Sequence, residues 1–415
     1  MYKQFRSTFF IWMVFLLSPI VSVLISLKNF RAPWVKNIVW AFIVFYGFNF
    51  VIYDELMDAN RYAEKIVILH QTDVSFDNFF GLFLSDEESS YLDVAAPMIS
   101  FVISCFTDKP AILFGIYALI FGFFYSRNIW FLLDRTKGRI DPAALILLIA
   151  ILLIVPFWSI NGFRFWTATQ VFIYGMLPYL FFGKKKKYLL ISGASVLFHF
   201  SFLLPMAVLC FSYTYTKNLS ILFIAFLASF MFSFAELKPI QDFLIQYAPG
   251  FLHKKLTTYL SDNFAENIEI ASASAKWFVT MKSQALNTLT LVLVSLSFIF
   301  HRRYIKENPV FLHSFCLILY LSIVNNALSS IPSVGRFLIL NSYFTFCFAF
   351  LLIQKDARQF VWLRRAVYLS LPLLGVFVMY TLRIGAQTIN VLVLTGNPVL
   401  NIGDPGRALL DFFKK

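Results

Sequence analysis

The chain has 415 residues, of which 59% are hydrophobic, 19% are aromatic and only 14% are charged. Soluble domains carry about 25% charged residues, so this composition excludes a soluble globular fold and indicates an integral membrane protein. The net charge of +13 resides in short segments between apolar runs. That distribution is typical of membrane-topology determinants, so we expect no nucleic-acid partner.

Apolar runs that could cross a bilayer follow one another along most of the chain. A helix needs about 20 residues to span the hydrocarbon core, and candidate runs lie near residues 8–27, 37–53, 110–133, 143–160, 165–183, 218–235, 286–300, 309–328, 337–353 and 366–385. The first run resembles a signal sequence without a small-residue cleavage site, so we interpret it as a retained first helix. The sequence predicts an all-α polytopic membrane protein with about 10–12 transmembrane helices plus re-entrant or interfacial segments, forming one transmembrane domain over residues 1–415.

Basic residues cluster in five of the short connecting segments. Lys and Arg accumulate in cytoplasmic loops, so we place on the cytoplasmic side the clusters Lys28/Arg31/Lys36, Arg135/Lys137/Arg139, Lys184–Lys187, Arg302/Arg303/Lys306 and Lys355/Arg358/Arg364/Arg365. This orientation places four segments on the outer face. They are the loops at about 54–91 and 236–285 and the turns 160–164 and 329–336.

Two apolar stretches are ambiguous, and the same orientation constrains both. Residues 92–106 form a short stretch between the cytoplasmic clusters at Lys36 and Arg135. The runs 37–53 and 110–133 already supply the two crossings that return the chain to the cytoplasmic side. The stretch 92–106 should therefore be re-entrant or interfacial. Residues 188–213 are interrupted by His199 and Pro205. A hairpin that turns near His199 at the outer face satisfies the charge distribution.

Carboxylates open the first outer loop directly after an apolar run. If the segment stays helical, Asp54, Asp58 and Arg61 lie on one face. A carboxylate held there could serve as general base toward a hydroxyl nucleophile. The alternative is a solvated acidic loop with a local Asp58–Arg61 ion pair of little energetic value.

Two arginines begin membrane helices at the outer interface. Arg164 follows Asn161-Gly162-Phe163, and Arg336 follows Gly335. An arginine opposes the helix dipole at this position, but together with the free N–H groups of a helix start it could form an anion site. Guanidinium groups bind phosphate oxygens in a bidentate manner, so the pair would suit a diphosphate. The alternative is that both side chains extend to lipid headgroups.

His199 lies between aromatic residues in Phe198-His199-Phe200. Ionisable groups inside membranes are candidates for function, although a structural hydrogen bond is the simpler role for a single histidine. The chain has no dinucleotide-binding glycine motif, no phosphate-binding loop and no cluster with metal-ligand spacing. We therefore expect neither a metal nor another cofactor.

The ensemble of these motifs resembles the EpsG-like, Wzy-type polymerases of bacterial exopolysaccharide and O-antigen synthesis. The matching residues are Asp58 with Arg61-Tyr62, Asn161-Gly162-Phe163-Arg164 with Ala168, Lys184–Lys187, Phe198-His199-Phe200-Ser201 and Gly335-Arg336. The resemblance extends over most of the chain in order and spacing. It implies a metal-independent glycosyltransferase of the inner membrane that polymerises undecaprenyl-diphosphate-linked oligosaccharides, with membrane lipid, a flippase and chain-length regulators as partners.

Carried over residue by residue, the resemblance implies that Arg164 and Arg336 hold diphosphates, and Arg61 is a third candidate to bind the substrate diphosphate. His199 would support the site or relay a proton, and Asp54 or Asp58 would activate the acceptor hydroxyl. The acidic opening of the first loop is also reminiscent of lipid-dependent GT-C glycosyltransferases. That class, an O-antigen ligase, a lipid-oligosaccharide transporter and a membrane acyltransferase remain as alternatives. The lack of an internal repeat is unlike many transporters.

Overall fold

The computed structural model describes residues 2–72, 93–183, 187–214, 218–231, 246–247, 276–329, 334–404 and 406–414. Throughout this part of the chain the regular secondary structure is helical, apart from two isolated β-bridges. The α-helices, numbered α1 to α18 in chain order, are Tyr2–Leu17, Pro19–Leu27, Val35–Phe48, Asp58–Gln71, Ala95–Ser104, Pro110–Leu133, Pro142–Ile154, Phe163–Phe182, Lys187–Gly193, Ser195–Phe198, Leu203–Thr214, Leu219–Ser229, Trp277–Glu307, Pro309–Ala327, Leu338–Lys355, Val361–Leu369, Leu371–Thr388 and Val391–Thr395. Short 3-10 turns cover Phe157–Gly162, Phe200–Phe202, Val334–Phe337 and Leu409–Phe413.

In the described residues, five helical stretches are long and apolar enough to cross a membrane, or six when the bent pair α16–α17 counts as one span. The five are Pro110–Leu133, Pro142–Phe182, Trp277–Glu307, Pro309–Ala327 and Gly335–Lys355. Shorter apolar helices accompany them in the described residues. The prediction of an all-α, multi-pass membrane protein is therefore confirmed, while full-length spans are fewer than the apolar runs.

Breaks inside apolar runs explain part of the difference. The run 8–27 was expected to be one helix, but it divides at Ser18, and the Ser22 hydroxyl donates to the Ile11 carbonyl at 3.0 Å. An eleven-residue separation would be far too long for that bond in a straight helix, so α2 folds back toward α1. The run 366–385 also lies in a bent element, because α16 and α17 meet at 57°.

The two ambiguous stretches do not form single spans. Helix α5 has 10 residues and rises only about 15 Å, so it is too short to cross the hydrocarbon core. Residues 188–213 form the predicted hairpin: α9 and α10 lead to His199, where the backbone becomes extended, and α11 returns.

The predicted outer loops are shorter than the sequence indicated. Helix α13 begins at Trp277, so residues 277–285, which were assigned to the loop 236–285, belong to a membrane helix. In the loop 54–91, residues 58–71 form α4. Residues 73–92, 232–245 and 248–275 lie outside the described residues.

Contacts at one end of the bundle join the segments that carry the basic clusters. The Trp130 indole N–H, for example, donates to the Phe30 carbonyl at 2.8 Å. Further contacts link Arg135 with Phe182, Gln354 with Arg139, and Lys355 with Tyr304. The shared end agrees with the predicted orientation, in which all these segments face the cytoplasm; Lys184–Lys186 lie outside the described residues.

Candidate functional site

A helix that stops early opens a cavity at the opposite end of the bundle. Helix α7 has only 13 residues and rises about 20 Å. The Val155 carbonyl at its end accepts a hydrogen bond from the Gln170 side chain at 3.3 Å, so α7 ends two turns below the start of α8. The chain then continues as the 3-10 turn Phe157–Gly162. No helix of the described residues fills the space beside that turn.

The resulting cavity has a volume of about 400 Å3. Two cations, Lys282 and Arg336, line it, and its described lining contains no carboxylate. The neutral polar and aromatic lining residues are Tyr53, Trp158, Ser159, Asn161, Trp166, Asn287, Ser342, Tyr380, Thr381 and Thr388. Leu153, Ile154, Leu338, Ile339 and Ile384 add an apolar wall. The cavity thus combines positive charge, hydrogen-bonding groups, aromatic rings and aliphatic surface.

Arg336 lies on the 3-10 turn that precedes α15. Phe337 anchors this turn, because its ring is buried and packs against Phe165 and Phe202 at 5.4 Å each. The Arg336 guanidinium lies 5.8 Å from the Phe165 ring centroid. Within the described part of the chain no carboxylate forms an ion pair with Arg336. Its charge is therefore available to an anion in the cavity.

Lys282 is a cavity residue that the sequence analysis missed. It lies on α13, and its ammonium group is 5.0 Å from the Tyr380 ring centroid, with no ion pair to any described carboxylate. A weak sequence pattern indicates that Lys282 belongs to a helix. Apolar residues repeat at helical spacing on both sides of it and extend the apolar face of the predicted span toward the N-terminus; they are Val279, Leu286, Leu289 and Leu293.

Arg164 is near the cavity but does not line it. Its Nη1 atom pairs with Asp93 Oδ2 at 3.2 Å, and its Nε–H donates to the Tyr62 hydroxyl at 3.2 Å. Asp93 is only 4% exposed, and its other oxygen accepts the Phe200 N–H at 2.7 Å. Burial raises the pKa of the Tyr62 hydroxyl, which the Arg164 charge opposes. Arg164 is thus committed to joining α4, Asp93 and the turn after His199.

The first outer segment departs from the predicted helical face. Helix α4 begins at Asp58, so Asp54 lies before it, in a turn where its Oδ1 accepts the Leu56 N–H at 2.9 Å. The expectation that Asp54, Asp58 and Arg61 share a helix face is therefore wrong for Asp54. Asp58 and Arg61 do form the predicted local pair, 3.7 Å apart and exposed.

Asp58 lies against the turn that walls the cavity. The Ala59 N–H donates to the Asn161 side-chain oxygen at 3.2 Å. A Cβ placed on Gly162 would lie 3.9 Å from Asp58 Oδ2. The residues preceding each carboxylate, Tyr53 and Met57, line the cavity, while Asp54 and Asp58 themselves lie at its edge.

His199 is held by its neighbour Ser201. The Ser201 N–H donates to His199 Nδ1 at 3.3 Å, and the Ser201 hydroxyl is 2.7 Å from the same nitrogen. Nδ1 thereby caps the 3-10 turn Phe200–Phe202. The imidazole also meets the Phe165 ring edge-on at 5.3 Å, so Phe165 contacts both His199 and Arg336.

The fold thus brings together residues that the sequence places far apart. Asp58, Arg164, His199 and Arg336 converge around Phe165 and the turn Phe157–Gly162, although only Arg336 lines the cavity. Among the described residues, no group of three or more His, Cys, Asp or Glu side chains is arranged to hold a metal ion. No protein-family model, curated protein or solved structure matches this chain.

Proposed function

We propose that this protein is a glycosyltransferase that polymerises undecaprenyl-diphosphate-linked oligosaccharide repeat units at the outer face of the bacterial inner membrane. The proposal combines the resemblance to Wzy-type polymerases with one structural observation. That observation is the cavity of about 400 Å3 that holds Lys282 and Arg336 without a described carboxylate. The expected products are exopolysaccharide, capsule or O-antigen chains.

The two cations support this proposal because a lipid-linked donor leaves as a diphosphate. In the transfer step, the bond between the anomeric carbon and the phosphate oxygen breaks while the acceptor hydroxyl oxygen bonds to that carbon. Negative charge then grows on the departing diphosphate, and fixed cations in a cavity with a partly apolar lining stabilise such charge. Arg336 would bind two phosphate oxygens, and Lys282 would act as a point charge.

The remaining lining suits the other parts of a lipid-linked sugar. Trp158, Trp166 and Tyr380 contribute aromatic rings with polar N–H or O–H groups to the lining, a combination that matches a sugar ring with its apolar face and hydroxyl rim. Leu338 and Ile339 continue the cavity wall with aliphatic surface that a prenyl chain can contact.

Asp58 is the carboxylate that we assign to the acceptor hydroxyl, as the group that takes its proton. It adjoins the cavity turn at Gly162, whereas Asp54 accepts a backbone N–H within its own turn. Arg61 pairs with the exposed Asp58 carboxylate at 3.7 Å. In this assignment Arg164 and His199 are positioning residues, because each is bound to other parts of the protein.

The test is glycan polymerisation in the source strain after deletion of the gene. Complementation with the wild-type gene should restore a ladder of glycan lengths, while Arg336→Ala and Lys282→Ala should leave single repeats on the lipid carrier. Arg303→Ala is the matched control, because that side chain is 94% exposed and pairs with Glu307 at the basic end.

Two results would count against the proposal. A normal ladder from both Arg336→Ala and Lys282→Ala, at wild-type membrane levels, would show that the cavity cations do not bind the donor. If lipid-linked repeats failed to reach the outer leaflet without the protein, a transporter function would replace the polymerase function.

A further inference from the structure

A second cavity lies at the basic end of the bundle, between α3, α6, α8 and α9. It has a volume of about 170 Å3. Three cations line it, Lys36, Arg127 and Arg135, against one carboxylate, Asp134. The described lining therefore carries a net positive charge at the end of the protein that the topology places at the cytoplasm.

Arg127 is the most informative residue of this cavity. It lies six residues before the end of α6, which places it about 9 Å into the helix. Its guanidinium donates to the Asn37 side-chain oxygen at 2.6 Å and to the Ser126 hydroxyl at 2.8 Å, and it stacks on Trp40 and Phe123. These partners are all neutral, and no described carboxylate forms an ion pair with it. A charge at this depth is costly without a counter-ion.

Arg135 presents a second group without a full set of partners. Its guanidinium lies between the Phe131 and Phe182 rings, 3.9 and 4.0 Å from their centroids. One Nη atom donates to the Phe131 carbonyl at 2.9 Å, but the buried Nε atom has no hydrogen-bond partner among the described residues. The two rings fix the guanidinium plane, so its remaining donors are ordered for a ligand.

We propose that this cavity binds the phosphate of an anionic phospholipid from the cytoplasmic leaflet. A lipid phosphate would supply the missing counter-ion for Arg127 and acceptors for Arg135. Basic pockets between membrane helices on the cytoplasmic side bind anionic headgroups. The cavity has less than half the volume of the outer one, so it suits a single headgroup phosphate better than an oligosaccharide diphosphate. The site is independent of the proposed glycosyltransferase function, because it lies at the opposite end of the bundle.

The experiment measures thermal unfolding of the purified full chain in a zwitterionic detergent. Short-chain phosphatidylglycerol, phosphatidylcholine and inorganic phosphate are titrated separately. A ligand of the folded state raises the unfolding temperature in a concentration-dependent way. We expect phosphatidylglycerol alone to do so. The concentration for half of the shift should rise by about tenfold or more in Arg127→Gln and in Arg135→Gln, because each variant loses a charged hydrogen bond.

Arg303→Gln removes the same charge from an exposed position at the same end and should keep the wild-type response. Equal responses of wild type, Arg127→Gln and Arg135→Gln would overturn the proposal, as would an equal response to phosphatidylcholine. An equal shift with inorganic phosphate would overturn the lipid as the source of the ligand. If Arg127→Gln does not fold, Arg135→Gln carries the comparison alone, supported by native mass spectrometry of lipid retained on the wild-type protein.

Discussion

Arg164 and Arg336 occur in similar sequence contexts, yet the fold gives their side chains different partners. Arg164 meets the buried carboxylate of Asp93, whereas Arg336 points its charge at a cavity without a described carboxylate. Removing one partner of a buried pair leaves the other charge unsatisfied, which destabilises a protein strongly. Removing an unpaired arginine leaves no such group behind. The two arginines should therefore respond differently to the same substitution.

We predict that Arg164→Ala lowers the stability of the protein by about 1–3 kcal/mol, the cost of an unsatisfied buried acceptor. The estimate stays at this modest level because Arg164 is 41% exposed and Asp93 keeps the Phe200 N–H. Arg336→Ala should change stability by less than about 0.5 kcal/mol. Thermal unfolding of the purified variants measures both values.

The double variant Arg164→Gln with Asp93→Asn provides the control. It removes both charges while an amide oxygen can still accept the Phe200 N–H, so it should recover part of the loss. Additive losses from the two substitutions would contradict the assigned pairing, because residues in direct contact couple in a double-mutant cycle.

His199 leads to a second prediction at the residue scale. If its main task is to cap the turn Phe200–Phe202 through Nδ1, then His199→Ala should cost about 1 kcal/mol, as for other lost caps. His199→Asn should cost less, since the Asn side-chain oxygen can accept the Ser201 N–H. Unfolding temperatures of the two variants test the cap, and glycan ladders from the same variants test the site. A stable His199→Asn protein without polymerisation would assign a proton-transfer role to the imidazole instead.

At the scale of elements, small residues decide how closely the helices approach. A Cβ at Gly47 would collide with the Ala118 side chain on α6, and a Cβ at Gly122 would lie 2.8 Å from Ile43 on α3. Small residues at such contacts let helix backbones approach closely. The resulting van der Waals packing is one of the forces that drive helix association in lipid. The same feature joins α8 to α9, where Gly175 faces Tyr188 and Ser192.

We predict opposite signs for two glycine-to-alanine substitutions in membrane helices. Gly175→Ala should destabilise the protein by about 1–3 kcal/mol, because its Cβ would overlap the Ser192 hydroxyl and the Tyr188 carbonyl in a packed interface. Gly375→Ala, on α17, should be neutral or stabilising by up to about 1 kcal/mol, since no atom of the described residues lies within 4 Å of its added Cβ and alanine favours helices. Thermal unfolding in one detergent compares them. A stabilised Gly175→Ala protein would mean that α8 and α9 are less closely packed.

Much of the helical architecture could be predicted from the sequence, but helix ends could not. Apolar runs revealed α6, α8 and α14, because their composition is uniform. The start of α13 was hidden, since Thr280, Ser283 and Gln284 give its first turns a loop-like composition. For this reason Lys282 was assigned to a loop, although it lines the cavity. Likewise, helices break at Ser18 and Ser370, each just before a proline in the first turn of the next helix, and proline cannot continue the preceding helix. Hydrophobic composition alone does not register these breaks, because the surrounding run stays almost as apolar as before.

The candidate site was predicted only where residues belong to one local motif. The turn with Arg164, the break at His199 and the turn with Arg336 each stand out within a few residues. Asp93 did not, because its partners are distant: Arg164 lies 71 positions away and Phe200 lies 107 positions away. Pairings over such distances depend on how the helices pack, and local patterns carry no information about them.

At the scale of the whole molecule, charge separates the two ends of the bundle. The segments with basic clusters contact one another at one end, while the acidic segment around Asp58 meets the turn at Asn161 at the other. Positive residues are retained on the cytoplasmic side of a membrane. The larger cavity should therefore open at the outer interface, and the smaller one should face the cytoplasmic leaflet.

Cysteine labelling of cells tests this orientation directly. Cys105 and Cys210 are exposed and are replaced by serine, while Cys316 and Cys347 are buried and can remain. In that background, Leu56→Cys introduces a thiol at a residue that is 84% exposed beside the larger cavity. Lys137→Cys introduces one at an exposed position of the basic end. A membrane-impermeant maleimide should label Leu56→Cys in intact spheroplasts and Lys137→Cys only after lysis.

The reverse labelling pattern would mean that the protein has the opposite orientation in the membrane. Different substrates would then reach each cavity. Arg336 and Lys282 would then face the cytoplasm, where lipid-linked repeats are assembled before export, and a polymerase of exported glycans could not act there. Labelling of both positions in intact spheroplasts would mean a leaky preparation, which a cytosolic marker protein detects. Labelling of Leu56→Cys alone would place the larger cavity at the outer face, where an exported lipid-linked oligosaccharide can reach it. Arg127 and Arg135 would then face the cytoplasmic leaflet, which carries most of the anionic lipid.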